Sequence, residues 1–482
     1  MNLGEEQISA VVRRVVAKIS NSTPAPLSTV NTRVAGGGHE GLGIFPTVDE
    51  AVSAAKAAFR TLEDQPLAIK EKIISAMRSA ALAQAETLSK MAVEETGLGR
   101  IDHKILKNVL AATKTPGLEI LKARAQTGDN GLTLTERAPY GVIGSITPCT
   151  NPTATIINNA IGMIASGNAI VVNAHPTAKD VTHFVISLLN GAIMDAGGPA
   201  NLISTVETPT IATAGELMKH PDIALLVVTG GPAVVKAAMA SGKKVIAAGP
   251  GNPPVVVDET ADISAAARHI VDGASFDNNI VCIVEKEIIA VESIADRLLE
   301  ELPKNGAYII NQHQVRHLEK ILVERAPAGH GDHGVVNKNW VGKDAHKILR
   351  LIDVDARPGV RLIVADLPKD HPFVQMELLT PVLGLVRVKN VAAAIDTAIE
   401  VEHGFRHTAV MHSKNIENLS AMARAVDTSI FVKNGPSTAG LGFNGEGYTS
   451  FTIASPTGEG LTTALNFSRE RRCTLKDSFR IV

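Results

Sequence analysis

Gly141-Val-Ile-Gly-Ser-Ile-Thr147, followed by Pro148-Cys-Thr-Asn-Pro152, is the stretch on which the fold turns. Its apolar core is strand-length, the two prolines end it, and an apolar run over 154–165 of helical length follows. Gly167 and the strand-like residues 169–172 then close a strand–helix–strand unit, whose two strands must lie parallel in one sheet. A second unit begins at residues 224–228, a buried strand. Thr229-Gly230-Gly231 is its turn, and Pro232 takes the first position of a helix, where a missing N–H costs nothing. Two more strands, 244–247 and 255–257, bracket Gly249-Pro-Gly-Asn-Pro-Pro254. The fold class is α/β.

Working outward, helices are expected over 48–62, 68–96 and 102–114, and a strand over 132–135. After a helix over 261–273, strands at 283–291, 361–364 and 382–388 and helices at 293–302 and 313–323 describe a second sheet-bearing lobe reaching about Val432. Residues 434–460 form a Gly-rich return, and 462–482 an edge strand or arm. At the other end, Ile8, Val11, Val12, Val15, Val16 and Ile19 line one face of a helix. Residues 21–43, rich in Ser, Thr, Pro, Asn and Gly, bury too little to fold and serve as a linker. A tethered helix offering an apolar stripe to another protein fits this arrangement; docking on its own body is the alternative.

The 482 residues are 45% hydrophobic, enough for two or three domains. A net charge of −2 and 3% aromatic residues give no footprint of a nucleic-acid binder, so small-molecule chemistry is expected. Cys149, Cys282 and Cys473 are odd in number and irregularly spaced, which implies reduced thiols in a cytosol-like compartment. Charged residues interrupt the first twenty positions, so no secretory signal is expected. No apolar run approaches the ~20 residues of a membrane helix, so a soluble protein without membrane contact is expected.

Chemistry is expected at Cys282. It ends Gly273-Ala-Ser-Phe-Asp-Asn-Asn-Ile-Val-Cys282, a small-residue, amide-rich stretch that suits an accessible thiol better than core packing. A buried structural cysteine is the competing reading. The Gly230-Gly231 turn can hold a phosphate at a helix N-terminus or be an ordinary tight connection. No Gly-x-Gly-x-x-Gly follows a strand, so the standard dinucleotide fingerprint is missing. Asn151 is either a turn residue or a neutral donor to an oxyanion. His330-Gly-Asp332-His333 lies in a Gly/Pro context that reads as a surface loop, so no metal is assigned.

Taken together, Thr147-Pro-Cys-Thr-Asn-Pro-Thr153, Val228-Thr-Gly-Gly231, Ala247-Ala-Gly-Pro-Gly-Asn-Pro-Pro254, the Gly273-to-Cys282 stretch, Glu377-Leu-Leu-Thr-Pro-Val382, Phe431-Val-Lys-Asn-Gly-Pro436 and Pro456-Thr-Gly-Glu-Gly460 resemble the aldehyde dehydrogenase superfamily. Within it they resemble the CoA-acylating propionaldehyde and acetaldehyde dehydrogenases of bacterial microcompartments. The resemblance implies Cys282 as nucleophile and Asn151, with the Cys282 N–H, as oxyanion hole. For NAD it implies Thr147, Pro148, Gly249 and the Thr229, Gly230 and Gly231 turn, with Glu377 on the nicotinamide ribose. His175 stands where hydrolytic relatives have a ribose-binding lysine.

Hydrolytic relatives have a glutamate at the position of Ala247, where it activates water against the thioester. Without that base, coenzyme A is the expected acyl acceptor. Glu285 and Glu377 are the rival bases; Glu285 is read as a structural ion-pair partner and Glu377 as better employed on ribose. A hydrolytic enzyme and a catalytically silent shell-binding scaffold are the alternatives. The resemblance further implies a Rossmann-type cofactor domain (44–250 with 435–461), an α/β catalytic domain (251–434) and a β-hairpin oligomerisation element (122–140 with 462–482) forming a homodimer or homotetramer. Residues 1–20 resemble an encapsulation peptide that binds shell protein, which implies a place inside a microcompartment.

Overall fold

A computed structural model describes residues 42–328 and 333–481. The expected targeting helix, nearly all of the expected linker, and His330 and Asp332 lie outside them. Two parallel sheets organise the described chain. The first has six strands in the spatial order Ile44–Phe45, Ile203–Val206, Ala169–Asn173, Val142–Ile146, Ile223–Thr229 and Val245–Ala248. The second has seven, in the order Ala307–Ile309, Leu362–Asp366, Val382–Val388, Glu287–Val291, Pro254–Val257, Thr408–His412 and Ile430–Lys433. Both are built from buried runs of branched residues with helices against them, the pattern that parallel strands covered on both faces require.

The quoted stretch folds as expected. Val142–Ile146 is buried throughout, Pro152 starts a helix that runs to Ala165, and Ala169–Asn173 returns parallel to the first strand. Gly162 lets that helix meet the Phe467 ring, since a Cβ there would lie 3.1 Å from it. The Phe467 carbonyl accepts hydrogen bonds from Asn168 Nδ2 at 2.8 Å and Ser166 Oγ at 3.2 Å. Those contacts seat the C-terminal arm, whose strand Ser468–Lys476 pairs antiparallel with Gly131–Pro139, itself half of a hairpin with Arg124–Gly128. This three-stranded sheet stands largely exposed and carries Cys473.

Two expected elements change. The single helix over 68–96 is two, Leu67–Ala83 and Ala85–Thr96, broken at Gln84 (φ −108°, ψ 11°). No Pro or Gly marks the break, and the apolar spacing runs through it. Both halves pack on Lys179–Asp195 and on Ile101–Lys114, the first more on the former and the second more on the latter. The strand expected over 283–291 begins only at Glu287, since residues 283–286 belong to the turn that carries Cys282. Among the described residues no helix is long and apolar enough to cross a membrane.

Phe467 is 1% exposed. Phe467→Ala is expected to cost about 3–5 kcal/mol, read as a lowered urea midpoint with the arm released first to proteolysis.

Candidate active site

The two sheets face each other end to end. In the first, Ile146 pairs with Val228 and Val228 with Ala247, so Thr147-Pro148, Thr229-Gly230-Gly231 and Ala248-Gly249 leave their strands side by side at the carboxyl edge. The Thr147 N–H donates to the Asn173 carbonyl at 3.2 Å, which brings the loop of His175 alongside. Between Val142–Ile146 and Ile223–Thr229 the chain reverses its direction of travel across the sheet, the crevice where open α/β sheets bind ligands. In the second sheet, Glu287 pairs with both Pro254 and Gly384, and Val410 with Val255. Gly251, Cys282, Glu377 and His407 therefore all lie just before the amino ends of neighbouring strands. Only residues 249–253 separate the two edges.

The turn carrying Cys282 is held by its own amides. Asp277, Asn278 and Asn279 adopt φ of 50°, 54° and 68° in succession, left-handed values that short polar side chains tolerate best. Each side chain then fastens the turn. Asn279 Nδ2 donates to the Ala274 and Glu285 carbonyls at 2.7 and 2.9 Å, and Asn278 Nδ2 to the Gly342 carbonyl at 2.9 Å and to Asp344 Oδ1 at 3.0 Å. Buried Lys286 donates to the Asn279 carbonyl and Oδ1, both at 2.7 Å. The amide-rich composition thus serves the backbone, and it sets Cys282 half-buried at the crevice. Gly251 is required beside it, because a Cβ there would stand 2.8 Å from the Cys282 carbonyl oxygen and 3.1 Å from the His407 ring.

Burial, and next to it the Glu377 carboxylate, push the Cys282 thiol up to about 12, against the pull of Lys286 and Lys107. Burial also raises the Glu377 carboxyl, while Lys286 and the Gly251 N–H it accepts draw it back. His407 donates its backbone N–H to Glu402 at 2.9 Å, and its Nε2 is buried without a partner among the described residues. Burial and then Lys286 depress that imidazole to about 4, so it is neutral near pH 7. Glu285 departs from its expected ion pairing. It accepts from the Ser437 N–H at 2.8 Å and Oγ at 2.7 Å, and burial pushes it up to about 7. With Lys286 acting on it only at a distance, the carboxyl is satisfied by the Ser437 N–H and hydroxyl.

Asn151 sits at the N-cap position of the helix that starts at Pro152 without a side-chain capping bond, and its Oδ1 instead accepts a hydrogen bond from the buried Lys107 ammonium. Lys107 also donates to Asp277, which Lys104 meets at 3.3 Å and the Arg100 N–H at 2.7 Å. Burial alone would raise the Asp277 carboxyl, but Lys104 and Lys107 outweigh it and hold it at about 2. His103 accepts the Asp277 N–H at 2.8 Å and stacks on Phe276 with ring centroids 4.6 Å apart. Sequence reasoning missed Lys104, Lys107 and His407. The available signal was the spacing of Lys104 and Lys107, one turn apart on the face that also buries Asn108 and Ala111.

Cofactor chemistry fits the opposite wall. Thr147 Oγ1 is buried without a partner among the described residues, a polar atom left for a ligand. Gly231 has open space where a Cβ would stand and caps the exposed helix Pro232–Met239, leaving free N–H groups at its positive end. Thr229 Oγ1 meets Thr452 Oγ1 at 2.9 Å, and a Cβ on Gly249 would strike Pro456 at 2.9 Å, so the Gly-rich return closes this edge. His175 caps its own turn, its Nδ1 accepting the Thr177 N–H at 3.3 Å. Cys149 shares Thr177 and is a free thiol, raised by burial. Ala247 is fully buried and donates its N–H to Thr457 Oγ1 at 3.0 Å.

The profile of the aldehyde dehydrogenase family matches residues 45–315. The chain belongs to the aldehyde dehydrogenase family. Over its whole length it is 50% identical to an acetylating acetaldehyde dehydrogenase of Salmonella typhimurium, all of which is covered. This aldehyde dehydrogenase also matches the propionaldehyde dehydrogenase of the Clostridium phytofermentans fucose-utilisation microcompartment (TM-score 0.88, 48% identity, 91% of this chain and 100% of that one). A Rhodopseudomonas palustris propionaldehyde dehydrogenase with bound CoA and an acylated cysteine matches with TM-score 0.87 and 49% identity, covering 90% and 98%.

Because burial and then Glu377 hold the thiol up, Glu377→Gln is expected to remove the smaller part and speed alkylation of Cys282 by iodoacetamide at pH 8 roughly 3- to 10-fold. Peptide mass mapping against time checks it.

Proposed function

We propose that the chain oxidises a short-chain aldehyde, acetaldehyde or propionaldehyde, with NAD+ and coenzyme A to acyl-CoA and NADH, reversibly and through a thioester on Cys282. The observation that carries this reading is a half-buried Cys282 on its turn, with only a buried methyl group at Ala247 in the neighbouring strand segment where hydrolytic relatives hold a glutamate. Cys282 adds to the aldehyde carbon, and Asn151 with the Cys282 N–H receives the oxygen as negative charge develops. Thr147, Pro148, Gly249 and the Thr229, Gly230 and Gly231 turn line the nucleotide, with Glu377 and His175 towards its riboses. When bound, the nicotinamide supplies the hydride acceptor.

The acyl group then waits on Cys282, because no carboxylate at 247 activates water. Glu285 is occupied by Ser437, which leaves it poorly placed as a base. His407, neutral and with an Nε2 unpartnered among the described residues, lies across Gly251 from the Cys282 backbone and is the group proposed to take the proton of the incoming thiol. Without CoA, NADH is expected as a burst of at most about one equivalent per Cys282, with an acyl adduct in the intact mass. Continuous NADH and free acid in that experiment would establish hydrolysis instead.

We further infer that residues 1–20 tether the enzyme to microcompartment shell protein and that the exposed sheet of Arg124–Gly128, Gly131–Pro139 and Ser468–Lys476 joins protomers into a dimer or tetramer. Relatives from a microcompartment support the first, and the unburied sheet the second. Deleting residues 1–20 is expected to leave specific activity unchanged and abolish co-purification with shells. Loss of active enzyme would instead show that the helix belongs to the body.

A further inference from the structure

We propose that Lys107 is a positioning residue for the oxyanion contact: it fixes and polarises the Asn151 amide for the carbonyl oxygen of substrates bonded to Cys282. The proposal rests on the reading of Cys282 as nucleophile. An ammonium only donates, so the atom of Asn151 facing Lys107 must be Oδ1, and the amide nitrogen must face the other way. That nitrogen has two hydrogens and, among the described residues, one acceptor, Thr150 Oγ1 at 3.3 Å. A charged donor on the amide oxygen strengthens the amide N–H as a donor, more so away from water.

Lys107 is 2% exposed and is shared between the two halves of the site. It grips Asn151 on one side and Asp277, which opens the turn to Cys282, on the other. The groups facing it are Asp277, Lys104, His103, Asn151 and Cys282. Asp277 stays anionic and His103, depressed to about 4 by burial, stays neutral across the working range. Burial, resisted by Asp277, draws Lys107 itself down to about 8. Its charge is therefore present below about pH 8 and is lost as pH rises through that value.

The test compares two reactions of Cys282 that need neither NAD nor CoA. Acylation by p-nitrophenyl acetate forms the sulfur–carbon bond as the carbonyl π pair moves onto oxygen; p-nitrophenolate leaves as the C=O closes. Alkylation by iodoacetamide forms a sulfur–carbon bond with loss of iodide and develops no oxyanion. The ratio of the two rates thus cancels the thiolate fraction and reports the oxyanion contact. In the native enzyme the ratio is expected to fall severalfold between pH 7 and 10. Lys107→Met is expected to lower it on the order of 10²-fold at pH 7, and Lys107→Arg to restore much of it and remove the fall at high pH.

Lys107→Met leaves Asp277 short of a partner, so Lys107→Met with Asp277→Asn is the companion variant; recovery of the ratio there would make the role mere charge balance. A ratio flat from pH 7 to 10 in the native enzyme, or unchanged in Lys107→Met, overturns the proposal. Neither measurement depends on the acyl acceptor, so a failed acyl-CoA reading shows only in the CoA-free NADH burst.

Discussion

The Asp277 carboxylate is the constraint on which the site is built. It sits fully buried between Lys104 and Lys107, takes the Arg100 N–H, and begins the left-handed run that delivers Cys282. Removing one partner of a buried ion pair typically costs ~3–5 kcal/mol, because the other charge is left without water or a counter-ion. Three consecutive left-handed residues that are not glycine cost on the order of 1 kcal/mol each or more, and persist only where their surroundings over-determine them. The lysines, the Asn278 and Asn279 amides and Lys286 supply that determination. The helix bearing the lysines also grips Asn151, so a single cluster ties the Cys282 turn and Asn151, the proposed nucleophile and oxyanion donor, to one helix.

The second constraint is the way two parallel sheets abut. Carboxyl ends of the first, with backbone N–H groups and the unsatisfied Thr147 hydroxyl, suit an anionic nucleotide; amino ends of the second bring Cys282, Glu377 and His407. The connection over 249–253 is too short to admit much else. Gly249 lies against Pro456 and Gly251 against Cys282 and His407, contacts that leave no volume for a side chain at either glycine. Nucleotide wall and thiol wall are thereby held at a separation set by backbone, which rotamer changes cannot alter.

The proposed fate of the acyl group follows from which carboxyls face the sulfur. Glu377 does, and after burial it is the next influence that raises the thiol. Glu285 is three residues from Cys282 yet turned to Ser437, with Gly273 making room for it; a Cβ there would lie 2.2 Å from Oε2. Position 247 holds only a methyl group, and its backbone N–H goes to Thr457 Oγ1. A thioester in such surroundings outlasts the arrival of a second thiol.

Local chemistry carried much of this into the sequence. Branched runs ended by Pro and Gly marked most strands of both sheets but not Ile44–Phe45, Ile203–Val206, Ala307–Ile309, Thr408–His412 or Ile430–Lys433. Pro232 marked a helix start, and the motif strings around Cys282, Asn151, Ala247 and Glu377 marked the family, since each depends on neighbours within a few positions. What depends on distant partners was silent. Nothing in the local sequence announces the break at Gln84, Glu285 meets Ser437 across 152 residues, and Lys107 reaches Asp277 across 170. A lysine on a helix reads as a solvated residue until the fold places a carboxylate against it, because burial of charge is a property of the assembled interior.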